Sequence, residues 1–213
     1  LLCGFLVTHL AGNLFLYAGE GPFNHYAEAL ESTPLLPAAE IGLALLFLLH
    51  IIVSLKLRYE NTQARPLAYA EYASKGGRSA GSRSMTLTAV LVLLFLIVHV
   101  KTFRFGEEGG NLYRMVMTSF QKPLYAGFYV LAMLALGLHL SHGIQSAFQT
   151  VGFNHPRYTP LVRKAGFAFA ILICLPLPIW RNKDWVRWTA LWGTGLTMLV
   201  SFFLPEGAAR SGW

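Results

Sequence analysis

Charged side chains are few in this sequence. Asp, Glu, Lys and Arg make up 13% of its 213 residues, where a soluble domain carries about a quarter. That shortage excludes an ordinary water-soluble domain. Hydrophobic residues are 54% of the chain and the mean hydropathy is +0.48. Apolar runs of about 18 or more residues recur, each long enough to cross a bilayer of about 30 Å as a helix. The composition is that of an integral membrane protein.

Cysteine is equally scarce. Cys3 and Cys174 both sit in apolar stretches without metal-ligand spacing, so they are expected to be buried structural thiols and not a disulfide or a metal pair. No phosphate-cradling glycine loop and no nucleophile–base arrangement appears. The net charge of +7 lies mostly in connecting loops. No basic helix or stacking stripe accompanies it, which speaks against nucleic acid. The chain begins Leu1-Leu2 without methionine. Its first run lacks a basic n-region and carries His9, Gly12 and Asn13, so it reads as the remainder of a transmembrane helix and not as a signal peptide.

What is present is a series of apolar segments at 1–18, 35–57, 85–105, 124–148 and 165–180. They predict an all-α integral membrane protein, a five-helix transmembrane bundle spanning 1–180. Beyond it, 181–213 is a C-terminal extension containing a Trp-rich apolar stretch. Whether that stretch adds a sixth helix stays open, because Arg181, Lys183 and Arg187 would lie on the outer side. The second and fourth connections hold nine Lys/Arg, from Lys56, Arg58 and Arg65 to Arg163 and Lys164. By the positive-inside rule they face the cytoplasm. The first and third, with Glu20, Glu28, Glu31, Glu107 and Glu108, face outward.

Four histidines lie inside four of these segments: His9, His50, His99 and His139. A single helical histidine is usually a hydrogen-bonded packing residue, but an imidazole in hydrocarbon is costly and calls for a partner. At about 1.5 Å of rise per residue, His9 and His99 fall about 13 and 9 Å below the outer face. His50 and His139 fall about 10 and 13 Å from the inner face by the same count. Two layers of two imidazoles from facing helices is how a b-type haem is held in a bundle. A zinc site would want four compact ligands instead. Gly12 and Gly143, three and four residues after their histidines, would let a flat macrocycle approach the backbone. His142 lies one turn from His139 and competes as ligand or as a contact to a propionate or quinone. His25 and His155 read as solvated loop residues. Lys101 and Arg104 are candidates for outer propionates and Arg58 for an inner one, against the ordinary reading of snorkelling cations. Glu31 and Glu40 are candidates for quinone-linked protons, against that of surface carboxylates.

These residues and their neighbours resemble the cytochrome b membrane-anchor subunits of succinate dehydrogenases and fumarate reductases, in the branch with one polypeptide and two haems. The likeness rests on THLAGNL around His9, ENTQARPLAYAEYASKGGRSAGSRSM at 60–85, and TFRFGEEGGNLYRMVMTSFQKPLYAGFYVLAMLALGLHLSHG at 102–143. LHLSHGIQSAFQTVGFNHPRYTPLVRKAG at 138–166 is the most specific stretch. The resemblance implies two haem b groups, with His9 and His99 as axial ligands of the outer one and His50 and His139 of the inner one. In the family the fourth ligand precedes a glycine by four residues, which selects His139 over His142. It further implies electron exchange with a quinone, menaquinone being the first expectation, and a flavoprotein and an iron–sulfur subunit docked on the cytoplasmic side. The dicarboxylate chemistry would belong to those partners, and the location would be the bacterial cytoplasmic membrane. Past Cys174 the chain departs from the family pattern, as a lineage extension or a shifted reading frame.

Two rival readings remain from the residues. One is a dihaem anchor for another respiratory oxidoreductase, which the histidines alone do not exclude. The other is a transporter whose histidines bind a metal or relay protons. Against it stand the lack of acidic residues in the membrane interior and of an inverted repeat.

Overall fold

A computed structural model describes residues 1–64, 80–106, 110–153, 155 and 157–174. The expected basic stretch around Arg65, Lys75 and Arg78, the carboxylates Glu107 and Glu108, the end of the fifth segment and the whole extension 181–213 lie outside the described residues. Among the described residues the protein is all α, without strands. Its elements are α1 (Leu2–Asn13), a 3-10 turn (Leu14–Ala18), α2 (Glu20–Glu31), α3 (Leu36–Gln63), α4 (Ala80–Phe103), α5 (Leu112–Phe120), α6 (Pro123–Thr150) and α7 (Thr159–Cys174).

Three of these helices, α3, α4 and α6, are long and apolar enough to cross a membrane, while Leu2–Ala18 is a shorter apolar run. Their ends follow local chemistry. Pro37 and Pro123 sit in the first turns of α3 and α6, where a missing N–H costs nothing and φ is already helical. α6 stops at Gly152, whose φ of +93° suits glycine. There the Gly152 N–H donates to the Gln149 carbonyl and the Phe153 N–H to that of Phe148, at 3.1 and 2.9 Å. The Phe148 and Phe153 rings close the turn at 6.0 Å, the full set of contacts of a Schellman cap.

α4, α6 and α7 form the tightest part of the bundle. Small residues allow it, as expected where lipid tails replace water and close backbone approach supplies the packing. Ala132, Ala135 and Ala170 are buried. Gly166 faces Ile144, and Gly81 faces the Leu138 carbonyl and Ser141 Oγ. A Cβ on Gly81 would sit 2.9 Å from the Leu138 carbonyl oxygen, whereas one on Gly12 would meet the Tyr26 ring tip at 2.6 Å. A tyrosine can swing aside; a helix backbone cannot. Gly81→Ala is therefore expected to cost about 1–3 kcal/mol through a forced shift of α4 against α6, and Gly12→Ala distinctly less. Thermal unfolding in detergent measures both.

The first and third connections were expected as loops, and here the structure differs. They contain α2 and α5, which pack against each other. Both are amphipathic: α2 buries Phe23, and α5 buries Met115, Val116 and Phe120. Asn111 caps α5 by accepting from the Arg114 N–H at 2.9 Å. It also donates to Glu20 at 2.6 Å and accepts from Asn24 at 3.0 Å, while Asn24 accepts from the Tyr113 N–H at 2.9 Å. The two short helices are thus sewn together through their polar faces. Beneath them Leu16, Phe23, Val116, Phe120, Ala126 and Tyr129 form one core, with Phe95 and Phe103 packed against it. Polar residues on the outer faces of such short helices read as loop, because their apolar stripe is only two or three residues long.

Of the two cysteines, Cys174 is buried, with its Sγ 3.5 Å from where a Cβ on Gly137 would be. Cys3 is exposed on the surface of the bundle, which corrects the expectation that both would be buried: α1 turns this face away from its neighbours. The fifth helix begins at Thr159, earlier than the apolar run suggests, since Arg163 and Lys164 ride in its first turns with their charged heads outward.

Candidate functional site

The four helical histidines come together as two pairs. His9 on α1 and His99 on α4 have ring centroids 5.7 Å apart with planes at 86°. His50 on α3 and His139 on α6 have centroids 6.2 Å apart with planes at 81°. Two imidazoles sharing one metal through bonds of about 2 Å place their centroids about 6 Å apart. The partner helices, α1 with α4 and α3 with α6, are not closely packed pairs. The rings therefore meet across gaps and not across helix seams. α3 in particular has no buried residue.

The surroundings of the pairs differ. The outer pair sits in aromatics: Phe5 stacks on His9 at 5.3 Å, and Phe95 and Phe103 flank His99 at 5.3 and 5.4 Å. His99 Nδ1 lies 3.1 Å from Tyr129 Oη, and Tyr129 Oη lies 3.0 Å from Tyr125 Oη. In the inner pair His139 Nδ1 is buried without a hydrogen-bond partner among the described residues. A buried polar atom left alone is rare enough to need an explanation. Among the described residues no group of three or more His, Cys, Asp or Glu is gathered as a metal cage. The donor chemistry is that of two separate bis-imidazole sites, which suits haem iron in both composition and spacing.

The remaining candidates are distributed less simply. His142 borders the first turn of α4, its Cβ 3.1 Å from where a Cβ on Gly81 would be, so its backbone lies at a helix crossing. Gly143 has open space, with Met85 Cε at 4.0 Å from an added Cβ. The face of Gly12 is taken by Tyr26, so packing of α2 explains this glycine. Lys101 lines a shallow apolar groove with Leu96, Ile97, Val100 and Phe105; two residues from His99, it lies about 200° round the helix and points away from it. Arg104 makes a two-pronged bond to Glu40, Nε–Oε1 at 2.6 Å and a second N–O contact at 3.2 Å. This pair ties the start of α3 to the end of α4. The hydrogen bond and charge of Glu40 hold the guanidinium above its ordinary pKa. Arg104 is thus engaged by a carboxylate of the protein itself, and Glu40 by a cation. Arg58 is exposed, eight residues past His50, and Glu31, His25 and His155 are exposed as well.

The contact of Tyr129 with His99 has little signature in the sequence. The only available signal was a pair of tyrosines, Tyr125 and Tyr129, spaced one turn apart on the helix that carries His139. Nothing in that spacing says they reach a histidine on α4.

The chain is 27% identical over 156 residues to the succinate dehydrogenase cytochrome b558 subunit of Bacillus subtilis (strain 168), a similarity covering 70% of this chain and 73% of that protein. No family model matches the chain. No solved structure matches it either.

Proposed function

We propose that this chain is the membrane-anchor cytochrome b subunit of a succinate:quinone oxidoreductase, holding two haem b groups between His9 and His99 and between His50 and His139. The single observation that carries the reading is the pairing of four helical imidazoles at 5.7 and 6.2 Å. The similarity to a succinate dehydrogenase cytochrome b subunit supports the family and the anchoring role. On this reading a flavoprotein and an iron–sulfur subunit dock on the cytoplasmic side, and the chain carries electrons between them and a membrane quinone, menaquinone first. The setting is the bacterial cytoplasmic membrane, crossed several times.

Haem b between two imidazoles supplies reversible one-electron iron chemistry. The chain's own contribution is to bind, orient and insulate. The contact of His99 Nδ1 with Tyr129 leaves Nε2 as the donor atom of that ligand, with Nδ1 keeping its proton and the phenol oxygen as its acceptor. Phe5, Phe95 and Phe103 pack their rings against the two imidazoles of the outer site and help fix their orientation.

Two measurements on the purified protein test the reading. A dithionite-reduced minus oxidised spectrum should show a b-type α-band, with two haems per chain. In the oxidised state, imidazole planes at 86° and 81° leave two iron d orbitals nearly equal in energy. Both centres should then give strongly anisotropic low-spin EPR signals. A protein purified without haem would end the proposal.

A further inference from the structure

The two histidine pairs are chemically unequal in a way that neither the sequence pattern nor the similarity records. His99 Nδ1 has a phenol oxygen at 3.1 Å, whereas His139 Nδ1 has no hydrogen-bond partner among the described residues. The phenol is itself tied down. Tyr129 is 6% exposed, packed against Phe120 at 4.6 Å and Phe95 at 4.9 Å, and its oxygen is 3.0 Å from Tyr125 Oη.

We infer that Tyr129 is a positioning residue of the outer site, accepting the Nδ1–H of His99 and so setting the ring orientation and electron-donating power of that ligand alone. The inference rests on the haem reading above. If His99 binds iron through Nε2, its Nδ1 carries the proton, and the bond can run only from Nδ1–H to the Tyr129 oxygen. Tyr129 then gives its own proton to the Tyr125 oxygen. That second bond makes Tyr129 a better acceptor, since hydrogen bonds in a chain polarise one another, most of all in a low dielectric. A stronger acceptor draws the imidazole toward imidazolate character, which stabilises the ferric over the ferrous state. The outer centre is therefore held at a lower potential than the same ligands would give with a bare Nδ1. The inner centre receives no such contribution from its His139 ligand.

The test is a spectroelectrochemical titration of the full protein, with the two components assigned by the His99→Ala and His139→Ala variants. Tyr129→Phe keeps the ring and its packing and removes the acceptor. It should raise the midpoint potential of the outer component and leave the inner one in place. Tyr125→Phe leaves Tyr129 in place but removes its hydrogen-bond acceptor, so a smaller upward shift of the same component is expected. A purely structural tyrosine would move neither potential. If both haems are present and neither variant shifts the outer component, or if the inner component moves instead, the inference is overturned while the haem reading stands. If the wild-type protein holds no haem, the underlying reading fails first. Should Tyr129→Phe lose the outer haem, the Tyr125→Phe result decides: a shift of the outer component supports the inference, and an unchanged potential overturns it.

Discussion

If the chain holds two haems as proposed, replacing His99 by alanine is expected to remove one and leave the other, so that the reduced-minus-oxidised α-band falls to about half while the protein still inserts. The imidazole is one of only two donors in its pair, and the nearest possible substitutes are phenols and phenyl rings. His9 alone does not hold a low-spin bis-imidazole centre. His139→Ala should remove the other half, and the double variant all of it. His142→Ala is the informative contrast. His142 borders the α4 crossing at Gly81, so its loss should leave both halves of the band. A band unchanged in His99→Ala, or lost entirely in His142→Ala, would break the assignment of pairs.

The second large effect is at Phe120, whose side chain is 1% exposed and lies among Phe103, Tyr125 and Tyr129 at 6.5, 5.5 and 4.6 Å. Phe120→Ala empties the centre of the core that joins α5 to α6 and should cost about 3–5 kcal/mol. Thermal unfolding followed by circular dichroism measures it, with Leu131→Ala as reference. Leu131 is 64% exposed on the bundle surface, and its truncation should stay within about 0.5 kcal/mol. The Phe120 variant should also bind the outer haem more weakly than the inner, because the cavity opens beside Tyr129 and Phe103, which hold His99. Equal loss from both sites would show that α2 and α5 do not form a separate cap.

The legibility of these features in the sequence follows their range. Long apolar helices were readable because a 28-residue run such as α3 or α6 announces itself through composition alone. The pairing of histidines by depth was readable because helix rise is constant, so distance from a segment end is a count of residues. The caps of α5 and α6 are likewise local, written in Asn111 and in Gly152 with Phe153.

What counting residues could not supply is rotation about the helix axis and the choice of neighbours. Lys101 and His99 are two residues apart and face opposite ways. Arg104 stands at the right depth for a propionate but meets Glu40 across 64 positions of sequence. Gly12, a candidate to let a macrocycle approach the backbone, has Tyr26 of α2 against it. The short helices α2 and α5 escaped because their apolar stripes are brief and their polar faces resemble loop.

By itself, then, the sequence determined that the protein is helical and membrane-embedded and how far along each helix its imidazoles lie. Burial in lipid and a fixed rise per residue are properties of one segment at a time. Only the tertiary structure decided which rings face each other, that His99 and not His139 has a phenol at its second nitrogen among the described residues, and that an aromatic core under α2 and α5 packs against His99. Each of these depends on residues far apart in the chain sharing a few ångströms of space.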